Sequence, residues 1–164
     1  MNRRLYFAYG SNIISRQMRN RCPGAELVGI AVLNGHRFLI NSREVATIIK
    51  DDLAKVYGIL WNISDEDERA LDWYEGVSAG LYVKRHVEVT IATEEGVHVS
   101  ALVYVAANST PGRPRAGYLH AIIDAEERKG FPNEYIKELK ERLFRPQITL
   151  PNSKSLAAPG DKIG

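Results

Sequence analysis

Apolar and polar positions along the chain predict strands first and helices last. Residues 5–9, Leu-Tyr-Phe-Ala-Tyr, are a short aromatic-rich run closed by Gly10, the pattern of a buried strand. Gly10-Ser11-Asn12 breaks it, residues 13–19 suit a short helix, and Cys22-Pro23-Gly24 reads as a turn. Residues 28–33 predict a second strand, with Asn34-Gly35 as a hairpin turn and residues 36–41 as the returning partner. Residues 46–49 add a weak fourth strand. In residues 55–63 nearly every position is apolar, as expected of a central strand covered on both faces. Gly58 inside it predicts a bulge or a close approach of another backbone.

Ser64-Asp65-Glu66-Asp67 then signals a helix start. Ser64 can cap it, the acidic first turn suits the positive end of the helix dipole, and Asp67 holds the place of a capping-box partner. The helix should run to about Trp73 and stop near Gly76. In residues 81–93, Leu81, Val83, Val87, Val89 and Ile91 alternate with Tyr82, Lys84, His86, Glu88 and Thr90. After Glu94-Glu95-Gly96 the alternation resumes with Val97, Val99, Ala101, Val103 and Val105. This is a long antiparallel hairpin with one face on a core. Residues 108–117 hold two prolines and two glycines and form a loop, longer than the usual ~4–6 residues.

Residues 118–129 follow as a helix, with Leu119, Ile122 and Ile123 at helical spacing and Gly130 as its cap. Pro132 opens a last helix whose apolar stripe is Ile136, Leu139 and Leu143. These elements make an α+β fold: one domain over residues 1–145, a curved, mostly antiparallel mixed sheet or small β-barrel with packed helices. Residues 146–164, rich in Pro, Ser and Lys, read as a loosely packed C-terminal extension.

Composition narrows the function classes. The 164 residues, 45% hydrophobic and 26% charged, suit one globular domain and exclude a disordered or fibrous chain. Twenty-two basic against 20 acidic residues leave only +2, too small an excess for a nucleic-acid binder despite Arg3, Arg4, Arg16, Arg19 and Arg21. No run approaches the ~18 apolar residues of a membrane span. The lone Cys22 forbids an intrachain disulfide and reads as a small, inert thiol. With no export signal, a cytoplasmic location is expected. His36, His86, His98 and His120 stand singly, without metal-ligand spacing.

Two places stand out. Tyr9-Gly10-Ser11-Asn12 joins a buried strand to a helix, where successive backbone N–H groups can form an anion-binding nest; a plain capped turn is the alternative. Glu75 closes the helix that carries Asp72, Trp73 and Tyr74. That is the wrong end for a carboxylate, and aromatic neighbours would desolvate it. Both effects raise its pKa toward a value useful for proton transfer. The alternative is a surface carboxylate before a glycine turn.

Taken together, these segments resemble the γ-glutamylcyclotransferase superfamily with its AIG2-like members. Phe7-Ala8-Tyr9-Gly10-Ser11-Asn12 matches its Tyr-Gly-Ser-Asn signature. Arg21 to Ala25, Leu33 to Phe38 and Val56 to Trp61 resemble the segments that follow it. Leu71 to Val77 with Gly80-Leu81-Tyr82 resembles the motif of the catalytic glutamate, and Val103-Tyr104-Val105, Tyr118 and Pro132-x-x-Tyr135 continue the order.

The resemblance implies an enzyme acting on a small γ-glutamyl substrate without a cofactor. The substrate's α-amine attacks its own γ-carbonyl, releasing 5-oxoproline and a free amine. Glu75 would serve as general acid and base. Tyr9, Gly10, Ser11, Asn12 and Tyr118 would bind the substrate; for Tyr118 the alternative is a helix-start residue packing on the core. Tyr82 and Tyr104 fit cavity lining or core. Arg113 and Arg115 in the long loop are expected to be solvated, the alternative being that one of them meets a second carboxylate on the substrate. A non-catalytic binder of γ-glutamyl metabolites and a lactam-forming deprotection step remain as alternatives. The leaving amine and the choice between monomer and homodimer stay open.

Overall fold

The computed structural model describes residues 2–144. Five strands close into a barrel: β1 (Arg3–Ala8), β2 (Glu26–Ile40), β3 (Ala46–Ser64), β4 (Tyr82–Ile91) and β5 (His98–Ala106), in the order β1-β3-β2-β4-β5. Every pairing is antiparallel except β1 with β5. The helices are α1 (Ser15–Arg21), α2 (Asp65–Tyr74), α3 (Tyr118–Lys129) and α4 (Asn133–Phe144), with a short 3-10 turn at Ser11–Ile13. The expected extension at 146–164 lies outside the described residues.

The first half departs from the sequence reading in one place. Asn34-Gly35 is not a hairpin turn. β2 runs through it, and the register slips there from Asn34↔Lys55 to His36↔Lys50, with Gly35 at φ 72°. The pair that favours a tight turn here stays in its strand, opposite extra residues of β3 at 51–54, because the ladder continues on either side. The reversal comes at residues 41–45, where Glu44 takes the left-handed conformation at φ 65°. The two strands expected at 46–49 and 55–63 are correspondingly one, β3, paired with both β1 and β2. Gly58 is the close approach: a Cβ there would lie 2.5 Å from the Ala8 carbonyl oxygen and 2.6 Å from the Phe7 ring.

Phe7, Ile59, Leu60, Ile63, Leu102 and Val103 are buried in the barrel wall and core, with Leu71, Ile122 and Leu139 brought in by the helices. The β4–β5 hairpin forms as expected, but its burial does not follow a single face. Leu102 and Tyr104 are as buried as Ala101 and Val103, while Leu81 and Val83 are exposed. β5 is covered on both sides because α2 crosses it. Asp65 and Glu68 of α2 bind Arg4 on β1. Lys84 of β4 reaches Glu68 at 2.8 Å and Asp72 at 2.9 Å, and the Tyr104 hydroxyl of β5 donates to Asp72 at 2.7 Å. β1, β5 and β4 are neighbours in the barrel, so these bonds lay α2 across all three.

Burial places one carboxyl where a charge is poorly tolerated. Glu126 of α3 is fully buried, and neither of its oxygens has a hydrogen-bond partner among the described residues. Burial, with a smaller push from Glu127, raises its pKa to about 8; the Tyr135 hydroxyl is buried close by. The unfolded chain ionises Glu126 near its ordinary value of 4.5, so from about pH 5 to 8 the folded state holds the extra proton. Stability therefore falls as pH rises through this window. We expect Glu126→Gln to exceed the wild type by about 1–3 kcal/mol at pH 8 and to match it near pH 5. Urea denaturation at the two pH values reads this; a pH-independent difference would contradict it.

Candidate active site

The mouth of the barrel is built where β1 ends, β3 begins and α2 stops. α2 is capped at both ends. At its start the Ser64 hydroxyl accepts from the Asp67 N–H at 3.2 Å, and the Asp67 carboxylate accepts from the Ser64 N–H at 3.0 Å, the expected capping box. At its end the Val77 N–H bonds to the Asp72 carbonyl and the Gly76 N–H to the Trp73 carbonyl, with Gly76 at φ 63°. This is a Schellman termination, and it requires the left-handed residue that glycine supplies. Glu75 is the cap residue and turns its side chain into the mouth.

Glu75 is half-buried and accepts no hydrogen bond among the described residues. Burial holds its carboxyl above the usual range, and the Arg21 guanidinium draws it partly back. The desolvating surface differs from the one the sequence suggests. Trp73 is 77% exposed and Tyr74 46%, so the helix aromatics contribute little. Tyr6, Tyr9, Tyr82 and Tyr118 surround the carboxylate instead, and its charge raises the pKa of each hydroxyl beyond the effect of burial.

These tyrosines line a recess of about 40 Å³ together with Gly10, Ser11, Asn12, Ala46, Glu75 and Tyr104. Their hydrogen bonds sort them. The Tyr9 hydroxyl donates to the Tyr104 carbonyl at 2.5 Å, and the Tyr82 hydroxyl donates to the Ala46 carbonyl at 2.8 Å. Tyr118 accepts from the Ala46 N–H at 3.1 Å, and Tyr6 accepts from Asn12 Nδ2 at 2.9 Å. A phenol has one proton, so Tyr6 and Tyr118 each keep theirs for another acceptor.

Ala46 is the small residue on which the mouth converges. Tyr82 holds its carbonyl and Tyr118 its N–H, and a Cβ on Gly10 would meet its methyl at 3.2 Å and the Tyr118 oxygen at 3.7 Å.

The loop after β1 is held from within. Asn12 is buried; its Oδ1 accepts from Arg21 at 3.1 Å and Gln17 at 3.2 Å, and its carbonyl accepts from Trp61 Nε1 at 3.0 Å. Ser11 Oγ accepts from Gln17 at 2.6 Å and faces the cavity. No acceptor among the described residues takes the backbone N–H groups of Ser11 and Asn12, as is usual in the first turn of a helix.

The recess opens into a wider chamber of about 440 Å³. Ser11, Glu75, Tyr82 and Tyr118 border both. Arg21, Arg43 and Arg115 line the chamber, while Arg113 does not. The sequence reading missed Tyr6, Arg21, Arg43 and Ala46, and it left Arg115 to solvent. Among the described residues no three His, Cys, Asp or Glu side chains gather as metal ligands. Cys22 is buried, and burial pushes its thiol up to about 12, as an inert cysteine requires. No described helix is long and apolar enough to cross a membrane.

Known proteins are similar to this chain in architecture and in sequence. A model of the AIG2-like family matches residues 55–139. A γ-glutamylcyclotransferase of Homo sapiens is 30% identical over 83% of this chain and 77% of its own length. The chain belongs to the γ-glutamylcyclotransferase/AIG2-like superfamily. A relative of the same name from Bos taurus is also 30% identical, over 82% of this chain and 76% of its own. A solved γ-glutamyl cyclotransferase superimposes with a TM-score of 0.79 at 29% identity, covering 85% of this chain and 87% of that one.

Within this superfamily fold the Asn12 network fixes both the Ser11 loop and Arg21. Asn12→Ala should lower stability by about 1–3 kcal/mol, because it strands the buried Tyr6 hydroxyl and removes two further bonds. Chemical denaturation measures it, and a loss below about 0.5 kcal/mol would show that the network is not what holds the loop.

Proposed function

We propose that the protein is a γ-glutamylcyclotransferase-type enzyme. The reading rests above all on Glu75, a half-buried, unpartnered carboxyl with a raised pKa facing a recess of tyrosine hydroxyls. Glu126 is also unpartnered, but it lies wholly in the core, whereas Glu75 borders both the recess and the wider chamber that a ligand can enter. The names of the relatives, each a γ-glutamylcyclotransferase, support the same class.

In this mechanism the glutamyl half of the substrate binds at the loop of Tyr9, Gly10, Ser11 and Asn12. The free N–H groups of Ser11 and Asn12 and the Ser11 hydroxyl are its donors. The amine half lies in the wider chamber. Glu75 takes a proton from the α-amine as its nitrogen attacks the γ-carbonyl carbon. A nitrogen–carbon bond closes the five-membered ring, and the amide bond to the leaving nitrogen breaks. Glu75 returns the proton to that nitrogen.

The products are 5-oxoproline and a free amine, and every atom comes from the substrate, so the scheme calls for no cofactor. Tyr118, whose proton is uncommitted, donates to the carbonyl oxygen as negative charge develops on it. Holding the chain in the ring-closing shape is the protein's other contribution. Well-oriented intramolecular attack can supply as much as about 7–11 kcal/mol.

The raised pKa suits Glu75 to both halves of the transfer. Glu75→Gln should abolish 5-oxoproline release, by at least about a thousandfold, while a γ-glutamyl substrate still binds. Mass spectrometry of products and calorimetric binding separate the two effects. Wild-type-like turnover would remove Glu75 from the mechanism, and binding without turnover in the wild type would favour a metabolite-binding role.

Arg21 gives a finer test. Its positive charge lowers the Glu75 pKa, so Arg21→Gln should raise it further. The acid limb of the kcat/KM profile, where Glu75 becomes ionised, then moves to higher pH. A shift to lower pH would contradict the assignment.

A further inference from the structure

Resting on the cyclotransferase reading, we propose that the wider chamber selects a leaving amine that carries two carboxylates, with Arg43 and Arg115 as the selecting residues. The two arginines come from different loops, and the structure braces those loops together. Arg43 lies between β2 and β3, and Arg115 between β5 and α3. The Ser42 N–H donates to the Thr110 carbonyl at 2.7 Å, the Gly112 N–H to the Ile40 carbonyl at 2.9 Å, and Asn41 Nδ2 to the Asn108 carbonyl at 2.9 Å. Asn41 Oδ1 accepts from the Arg43 N–H at 3.0 Å and so fixes the turn that presents it. A Cβ at Gly112 would stand 2.2 Å from the Asn41 carbonyl oxygen, so the loops meet this closely only with glycine there. Such bracing exceeds what two solvated side chains require.

The charge balance of the chamber is one-sided. Among the described residues Glu75 is the only acidic one in its lining, and it faces Arg21, Arg43 and Arg115. Arg21 is engaged, bonded to Asn12 and laid 4.6 Å over the Tyr74 ring. The Arg115 guanidinium stands 5.7 Å over the Tyr118 ring. Among the described residues neither Arg43 nor Arg115 forms an ion pair with a carboxylate. Guanidinium groups recognise carboxylates through paired, charge-assisted hydrogen bonds. An amino acid with a neutral side chain brings one carboxylate and leaves one arginine unmatched. A leaving amine of the glutamate or aspartate type brings two. The chamber, at about 440 Å³, is large enough to hold it.

The decisive comparison is between γ-glutamylglutamate and γ-glutamylglutamine, which have the same size and differ by one charge. The acid should be turned over with a kcat/KM about tenfold higher, and the preference should shrink as salt is raised. In the Arg43→Gln/Arg115→Gln double variant the ratio should fall to within about twofold. Equal turnover of the two substrates by the wild type, or a preference that survives in the double variant, overturns this inference and leaves the cyclotransferase reading standing. Release of 5-oxoproline from neither substrate overturns both.

Discussion

A carboxylate at the C-terminal end of a helix meets the negative pole of that helix, and a recess of phenol rings removes most of the water that would stabilise it. Holding Glu75 there takes a helix that cannot shift. The fold supplies one through five contacts. The capping box fixes where α2 starts, and the Gly76 termination fixes where it stops. Arg4 and Lys84 hold its acidic face against β1 and β4, and Tyr104 holds Asp72 against β5. Isolated surface ion pairs contribute little. These act differently, because Glu68 is almost buried and shared between two cations, so losing either would leave a buried charge poorly matched.

The same economy of hydrogen bonds divides the tyrosines of the recess into two kinds. Tyr9 and Tyr82 spend their protons on backbone carbonyls and so set the width of the recess. Tyr6 and Tyr118 are held through their oxygens by N–H donors, which leaves their protons pointing to whatever acceptor enters. One residue, Ala46, positions both Tyr82 and Tyr118, through its carbonyl and its N–H. The start of β3 therefore acts as a ruler for the site, and a larger residue there would push on Gly10 from the opposite side.

Local signals explain which parts were readable from the chain. The capping box, the Gly76 stop, the Gly130 cap and the alternation of β4 depend on residues a few positions apart, and sequence displays them directly. Asn34-Gly35 shows the limit of such signals. Its turn preference is real, but the long β2–β3 ladder offers more pairing than a tight turn would, so the pair stays in the strand, with Gly35 left-handed opposite the extra residues of β3. The true reversal at residues 41–45 is set by Asn41, whose side chain caps the turn and grips the loop near Asn108. That grip spans 67 positions in sequence, and no local pattern reveals it. Glu75 stands out in the sequence because a motif surrounds it; the tyrosines that desolvate it come from three separate segments, at β1, β4 and α3, and the adjacent Trp73 is exposed.

The distribution of the site between strands and loops has a consequence for how selectivity can be built. The recess around Glu75 is made from the ends of β1, β3 and β4 and the first residue of α3, elements tied into the closed barrel. Altering it would disturb the core. The wider chamber takes Arg43 and Arg115 from loops that lean on each other more than on the barrel. Substitutions there change the charge presented to a ligand without touching buried apolar contacts. Rigid elements thus carry the recess around Glu75, and braced loops carry the arginines of the wider chamber. Because the brace joins the two loops to each other, changing one of them alone would move the arginine on the other, so charge and geometry of the chamber are set together.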